Sequence, residues 1–94
     1  MTLFEWDDAK AKANLRKHGV SFELARSVFM DPYLVLIPDR AVGGEQRWQA
    51  IGSAEGRILL LVAHAVNEHG NDETIRIISA RQATRRETRL YEDQ

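Results

Sequence analysis

The sequence predicts an α+β domain: a sheet of about four antiparallel strands with helices on one face. Two capped helix-forming stretches fill the first third, and β-branched or aromatic runs separated by turn residues fill the middle. A third capped helix closes the chain. Sequential strands joined by short loops pair antiparallel with their neighbours, so the middle reads as a meander.

Leu3 to Trp6 is a short apolar entry that could form a brief strand. Asp7 or Asp8 then offers an N-cap, and Ala9 to His18 contains only good helix formers apart from Asn14. Gly19 suits the residue just past that helix, where a left-handed conformation is needed. Ser21 caps the next helix, with Phe22, Ala25, Val28 and Phe29 at helical spacing on one face, and Asp31-Pro32 breaks it. Tyr33 to Ile37 is a strand and Pro38 to Gly44 a turn-rich loop. Arg47 to Ser53 alternates Arg47, Gln49 and Ile51 against Trp48, Ala50 and Gly52, which suits a half-buried strand. After a hairpin loop at Ala54 to Gly56, Ile58 to Val66 is nearly all apolar and belongs at the centre of the sheet. A polar loop from Asn67 to Glu73 leads to the last strand, Thr74 to Ala80. There Arg76 alternates with Ile75 and Ile77 and so faces away from them, with Ile78 and Ala80. Thr84 opens the final helix, and Thr84 with Glu87 matches the S/T-x-x-E capping box. Trp6, Trp48 and Phe22 are assigned to the core.

Ninety-four residues fit one domain, 1–94, able to bury roughly 60 to 65% of the surface its unfolded chain exposes. A hydrophobic fraction of 44%, a charged fraction of 29%, two prolines and six glycines are ordinary for a folded domain and argue against disorder. The absence of cysteine excludes a disulfide framework and a thiolate metal site. Met1 to Lys10 is charged without an apolar h-region, which predicts no signal peptide. The longest apolar run, Ile58 to Ala63, is far short of the roughly 18 residues of a membrane span. A cytoplasmic protein with no membrane partner is therefore expected.

A net charge of -1 gives no global attraction to nucleic acid, so any such binding must rest on a local patch. Residues 76 to 89 supply one: Arg76, Arg81, Arg85, Arg86 and Arg89 stand against the single acid Glu87. Guanidinium groups stay protonated and present forked donors to phosphate oxygens, so this cluster reads as an anion site. No Gly-rich phosphate loop is present, His18, His64 and His69 lack the spacing of a zinc site, and no serine sits in a nucleophile elbow. Neither a metal nor a cofactor is expected.

Cleaving RNA without a metal requires a base for the 2′-hydroxyl, fixed cations for the charge growing on the phosphate, and an acid for the departing 5′-oxygen. Arginine supplies only the second. Arg81, just before the last helix, is best placed, because free N–H groups of a first helical turn also favour an anion. Arg76 could hold phosphate or pair with an acid across strands. Glu87 could act as base, although the capping box already accounts for it. Tyr91, four residues on, could be a core aromatic or a phenolic donor. His64 shares a strand face with Ile58, Leu60 and Val62, as an edge-of-core residue or, beside a cleft, as acid or base. Lys17 and His18 close the first helix, where they complement its dipole or grip phosphate. A solvated helix face is the plainest reading of the arginines.

Three strings, FEWDDAKAKANLRKHGVSFELARSVFMDP at 4 to 32, GEQRWQAIG at 44 to 52 and IRIISARQATRRETRLYE at 75 to 92, resemble the BrnT family of bacterial type II toxins over almost the full length. That resemblance implies a RelE-like fold, with a small antiparallel sheet, two N-terminal helices and a C-terminal helix. It also implies a ribonuclease that arrests translation. The implied partner is a BrnA-like ribbon-helix-helix antitoxin that neutralises the toxin and brings operator DNA to it. By analogy, Arg47, Arg76, Arg81, Arg85 and Glu87 would serve RNA, supported by Lys17, His18 and Tyr91. Taken with the residue-level reading, the candidates are Arg47, His64, Arg81, Glu87 and Tyr91 for catalysis, and Lys17, His18, Arg76, Arg85, Arg86 and Arg89 for RNA binding. Thr88 and Gln82 stand where members of the family often carry a basic residue, which weakens phosphate binding. Those losses leave a second expectation, a decayed toxin fold that only binds an antitoxin and joins it in operon autorepression.

Overall fold

A computed structural model describes residues 1–94. Its sheet has five strands, β1 (Thr2–Glu5), β2 (Val35–Val42), β3 (Glu45–Ala54), β4 (Ile58–His69) and β5 (Asp72–Gln82), in the order β1-β5-β4-β3-β2. The helices are α1 (Asp8–His18), α2 (Phe22–Arg26), which runs on into a 3-10 turn at Ser27–Met30, and α3 (Arg85–Glu92).

The expected count of about four antiparallel strands is thus one short. β1 joins the edge of the sheet in parallel with β5, Thr2 beside Glu73 and Glu5 beside Arg76. Local pattern shows that a strand could form there, but its partner lies some seventy residues away, which local pattern does not show. The hairpins are also tighter than expected. Gly43 and Gly44 both adopt positive φ, the requirement of a two-residue turn matched to the twist of a hairpin, so β2 continues past Ile37 to Val42. Pro38 is tolerated because β2 is an edge strand, and the pairing is irregular between Pro38 and Ala41. Likewise β4 and β5 close over Gly70 and Asn71, so most of the stretch read as a loop at Asn67 to Glu73 is strand.

One face of the sheet meets α1, α2 and the 3-10 turn. Ala50, Ala54, Leu60, Val62, Ile75, Ile77 and Ala80 pack there against Val20, Phe22, Ala25 and Val28. The turn approaches β3 at Gly52, where an added Cβ would lie 2.9 Å from Leu34 Cδ1 and 3.1 Å from the Val28 carbonyl oxygen. Trp6 packs edge-on against Phe22 at 6.0 Å, as expected of a core residue, but Trp48 is only half-buried and lies outside the main cluster. The opposite face buries Ile51, Leu61 and Ala65, and α3 lies on it, so the helices are not confined to one side.

Two details place the functional side chains. First, β5 holds one residue more than β4 across the step from Ala63–Ser79 to His64–Ile77, a bulge at Ile78. The bulge resets the alternation. Ala80 therefore joins Ile75 and Ile77 in the core, not Arg76 as strict alternation requires, and Arg81 turns to the same side as Arg76. Second, β1 stops at Glu5, leaving the outer edge of β5 beyond Arg76 without a strand, while its other edge stays paired with β4. Asn14 of α1 takes that place: its Nδ2 donates to the carbonyls of Ala80 at 2.8 Å and Val20 at 2.9 Å, and its Oδ1 accepts the Ala80 N–H at 3.1 Å.

Candidate RNA-binding site

The sheet face opposite α1 and α2 is where the arginines gather. Arg47 on β3, Ala65 on β4 and Arg76 on β5 stand in one cross-strand row, and Ile51, Leu61 and Arg81 in another. Between these rows lie Gln49, Ala63 and Ser79. The central strand contributes only alanines at 63 and 65, so the floor is shallow and the flanking strands' long side chains stand over it. α3 covers the end of the face nearest Ile51.

Two of the three arginines in these rows, Arg76 and Arg81, are already paired. Arg76 donates from Nη1 to Glu45 Oε2 at 2.9 Å and from Nη2 to Oε1 at 2.5 Å. Those bonds hold the Glu45 carboxyl below its ordinary value. Glu45 sits two residues before Arg47 and reaches over the small Ala65, so the cross-strand acid foreseen as one reading of Arg76 is present. Arg81 makes a second fork, Nη1 to Glu87 Oε1 at 2.8 Å and Nη2 to Oε2 at 2.9 Å. Glu87 Oε1 also accepts the Thr84 N–H at 2.8 Å, while Thr84 Oγ1 accepts the Glu87 N–H at 3.2 Å, which completes the capping box foreseen from sequence. The Arg81 fork, then these backbone bonds, push the Glu87 carboxyl down to about 2. Arg47 is half-buried, and its Nε is buried without a hydrogen-bond partner. Arg85, Arg86 and Arg89 stand exposed on α3 and form no ion pair.

Tyr91 does not enter this row. Its hydroxyl donates to Asp31 Oδ2 at 2.6 Å, an oxygen that also accepts the Ser53 N–H at 2.7 Å, while Asp31 Oδ1 accepts the Tyr33 N–H at 2.9 Å. The bond to Asp31 pushes the Tyr91 phenol up to about 12. Burial works to raise the Asp31 carboxyl, but the three hydrogen bonds, led by Tyr91, keep it below its usual value. The knot ties the last turn of α3 to the loop after the 3-10 turn.

His64 is on the other side. It is 2% exposed, lies edge-on to the Phe29 ring at 4.9 Å and donates from Nδ1 to the Val62 carbonyl at 3.2 Å. Burial holds it below its ordinary value, hence neutral. Its expected place among the catalytic groups is corrected on that ground: the sheet separates it from every arginine of the row. Lys17 and His18, at the end of α1, border a cleft of about 220 Å³ beside Asn14 and Ser79, at the β5 edge of the arginine face. No three His, Cys, Asp or Glu side chains converge as a metal-ligand set.

Glu45, Asp31 and Asn14 were not singled out for these parts by the sequence. Asp31 appeared only as a helix breaker. Asn14 did carry a signal, as the one poor helix former inside an otherwise helix-favouring run.

The profile of the family described as "Ribonuclease toxin, BrnT, of type II toxin-antitoxin system" matches residues 6–87. Among solved structures, the crystal structure of the Brucella abortus ribonuclease toxin BrnT is similar to this chain, with 28% sequence identity and a TM-score of 0.61 over 90% of this chain and 99% of that one. No curated protein sequence matches.

Proposed function

This chain belongs to the BrnT family of ribonuclease toxins of type II toxin-antitoxin systems, and on that premise we propose that it is a metal-independent endoribonuclease. It acts in the cytoplasm, cutting RNA and so arresting translation. A ribbon-helix-helix antitoxin neutralises it and carries the complex to operator DNA. The observation that carries the reading is the arginine face of the sheet: Arg47, Arg76 and Arg81 around Ala63 and Ala65, next to Arg85, Arg86 and Arg89 of α3, which form no ion pair.

In the reaction, the 2′-oxygen attacks phosphorus and the bond from phosphorus to the 5′-oxygen breaks, giving a 2′,3′-cyclic phosphate and a free 5′-hydroxyl. One proton leaves the 2′-hydroxyl and one reaches the departing oxygen. The arginines offset charge growing on the non-bridging oxygens. Glu87 is the base, and the Arg81 fork controls it. A phosphate that takes the fork releases the carboxylate from the bonds that hold it near 2, and its basicity climbs toward that of an ordinary glutamate. The released group takes the 2′ proton and returns it to the 5′-oxygen. Lys17 and His18 extend the backbone-binding surface around the β5 edge, with Arg85, Arg86 and Arg89 at the other end. Tyr91 holds α3 in place through Asp31 and transfers no proton.

The test is cleavage of RNA by purified protein in EDTA, with the cyclic phosphate detected at the new end. Arg81→Ala lowers the rate about a hundredfold. Glu87→Gln keeps the capping box, since glutamine serves there too, but removes the base and costs on the order of 10² to 10⁴. Equal rates for the wild type and a folded Glu87→Gln protein would remove Glu87 from the mechanism. A second reading draws on the two glutamate forks, which neutralise Arg76 and Arg81 in the free chain: a decayed toxin fold that binds an antitoxin without cutting RNA. EDTA-resistant cleavage eliminates it.

A further inference from the structure

The two glutamate forks on the arginine face differ in what else holds them. Glu87 belongs to α3: its Oε1 accepts the Thr84 N–H as well as the Arg81 guanidinium, so moving it opens the helix cap. The Glu45 carboxylate is bound by Arg76 alone. It stands at the first position of β3, directly after the turn at Gly43 and Gly44, with its side chain 33% exposed. Rotation of that one side chain vacates the Arg76 fork and breaks no backbone bond.

Glu45 occupies an anion position that two cations share. Arg47 and Arg76 flank the small Ala65, about 10 Å apart at their roots, because two strand spacings separate them. The Glu45 carboxyl is held below its ordinary value first by the Arg76 bonds and then, against some burial, by the charges of Arg76 and Arg47, so both cations act on it. Arg47 forms no ion pair, and its Nε is the one buried side-chain nitrogen or oxygen without a hydrogen-bond partner. Buried donors are normally satisfied, yet the fold gives this cation no acceptor of its own.

We propose that Arg47 and Arg76 form a second phosphate subsite, separate from the one at Arg81, and that Glu45 is its resident competitor, the side chain an RNA phosphate must displace. The inference rests on the RNA-cutting reading for its ligand and adds a regulation of the same face. The rows that hold Arg76 and Arg81 are four residues apart along β4, about 13 Å, and the two forks are drawn apart, one to the start of β3 and one to α3. One phosphate does not fill both, so they mark two phosphates of one strand. At the subsite the exchange is like for like, since carboxylate and phosphodiester each bring one negative charge and two oxygens matched to the guanidinium fork. Exposed pairs are weak, so the competitor yields to a phosphate supplied at high local concentration. A strand already held at Arg81 and α3 supplies it that way, whereas a ligand with a lone phosphate does not. Glu45 thus sets a threshold that favours polymeric RNA over small phosphate compounds.

The probe is a single-stranded oligoribonucleotide carrying 2′-O-methyl groups throughout, which cannot be cut, and its binding to the full chain is read by fluorescence anisotropy. Glu45→Gln keeps the size of the side chain and one acceptor for Arg76, so the hairpin still closes, but it weakens the competitor. Affinity for the RNA rises about three- to tenfold, the strength of an exposed pair expressed as an equilibrium together with the repulsion no longer felt from the displaced carboxylate. The slope of log affinity against log salt between about 50 and 200 mM steepens by about 0.7. In the wild type the freed carboxylate takes up a counterion as the phosphate releases one, and in the variant only the release remains. Glu5→Gln is the control: Glu5 lies beside Arg76 in the register of β1 and β5 and acts on it by charge without a hydrogen bond. It removes the same charge without touching the fork, and affinity changes less than about twofold. In a Glu45→Gln, Arg76→Ala chain the gain disappears. Equal effects of Glu45→Gln and Glu5→Gln, or a gain that survives the loss of Arg76, would overturn the subsite. If neither the wild type nor Glu45→Gln binds the RNA, the RNA reading and the subsite fall together. Equal affinity and equal salt slope for the two, in a chain that does bind and cut RNA, defeat the subsite alone.

Discussion

Replacing Asn14 should loosen the whole molecule, because its amide stands in for a missing strand. β1 ends beside Arg76, and the backbone of Ala80 is completed by one side chain of α1, which also holds the Val20 carbonyl just past the helix. Asn14→Ala leaves the Ala80 N–H, the Ala80 carbonyl and the Val20 carbonyl without partners at a site where Asn14 is 7% exposed. An unsatisfied buried group costs about 1 to 3 kcal/mol, water entering from the adjacent cleft recovers part of that, and the better helix propensity of alanine returns about 0.5. A net loss of about 3 kcal/mol remains. For a domain of this size each kcal/mol moves the thermal midpoint by roughly 4 to 8 °C, so the variant should melt about 12 to 24 °C lower. Far-UV circular dichroism during heating measures this directly.

Asn14→Asp supplies the sign. The carboxylate still accepts the Ala80 N–H, but the position of Nδ2 becomes an oxygen facing two carbonyls. At neutral pH it should be less stable than Asn14→Ala. Burial and the carbonyl oxygens raise the folded-state pKa of the new carboxyl, so the penalty is present above that value and shrinks as pH falls and the protonated group regains one donor. An Asn14→Ala midpoint within about 5 °C of wild type, or an Asn14→Asp protein that weakens further in mild acid relative to wild type, would refute the strand-completing role.

Tyr91→Phe should separate anchoring from chemistry: the lost bond to Asp31 costs about 1 to 2 kcal/mol in urea unfolding, whereas RNA cleavage at a temperature where the protein is folded stays within a few-fold of wild type. A drop of a hundredfold or more in the cleavage rate would return the phenol to the reaction. The Glu87 carboxyl, pushed from 4.5 down to about 2, is a lowered acid, so its contribution to stability is complete above about pH 4.5 and is lost as pH falls toward 2. A full shift of this size is worth about 3 kcal/mol, and with the Arg81 side chain 37% exposed and screened we expect about 1 to 2. Glu87→Gln should remove that part of the acid dependence, and an unchanged stability profile between pH 5 and pH 2 would contradict it.

The features legible in the sequence are those set by neighbours along the chain. Asp7 and Ser21 accept N–H bonds from Lys10 and Leu24, Gly19 takes the left-handed conformation after α1, and the box at Thr84 and Glu87 closes as its spacing implies. Each depends on residues within about four positions, the range over which spacing determines geometry. What escaped depends on pairing at a distance. β1 needs β5, Arg76 finds Glu45 across Ala65, and Asp31, whose neighbour Pro32 gives it a sufficient local role as a breaker, collects Tyr91 from sixty residues away. His64 misled for a related reason. A histidine near the end of an apolar strand reads as an edge residue, and only the helices over that face show it to be buried among aromatic and aliphatic side chains.

The bulge at Ile78 joins these two levels. With strict alternation, Ala80 would share the side of Arg76, and Arg81 would point with Ile75 and Ile77 into a core that has no acid to receive it. One unpaired residue reverses the phase after Ile77. Ala80 is then small enough to lie under α1 and present its backbone to Asn14, while Arg81 emerges on the open face within reach of Glu87. The residue that neutralises Arg81, Glu87, also closes the capping box at the start of α3, so strand phase, helix cap and arginine placement form a single arrangement. Its sequence marker is small: an isoleucine pair where one would suffice, followed by Ser79, a residue too polar to continue the apolar run. The string IRIISAR therefore encodes a switch of strand phase, and the position of the arginine face follows from that switch more than from the number of arginines it contains.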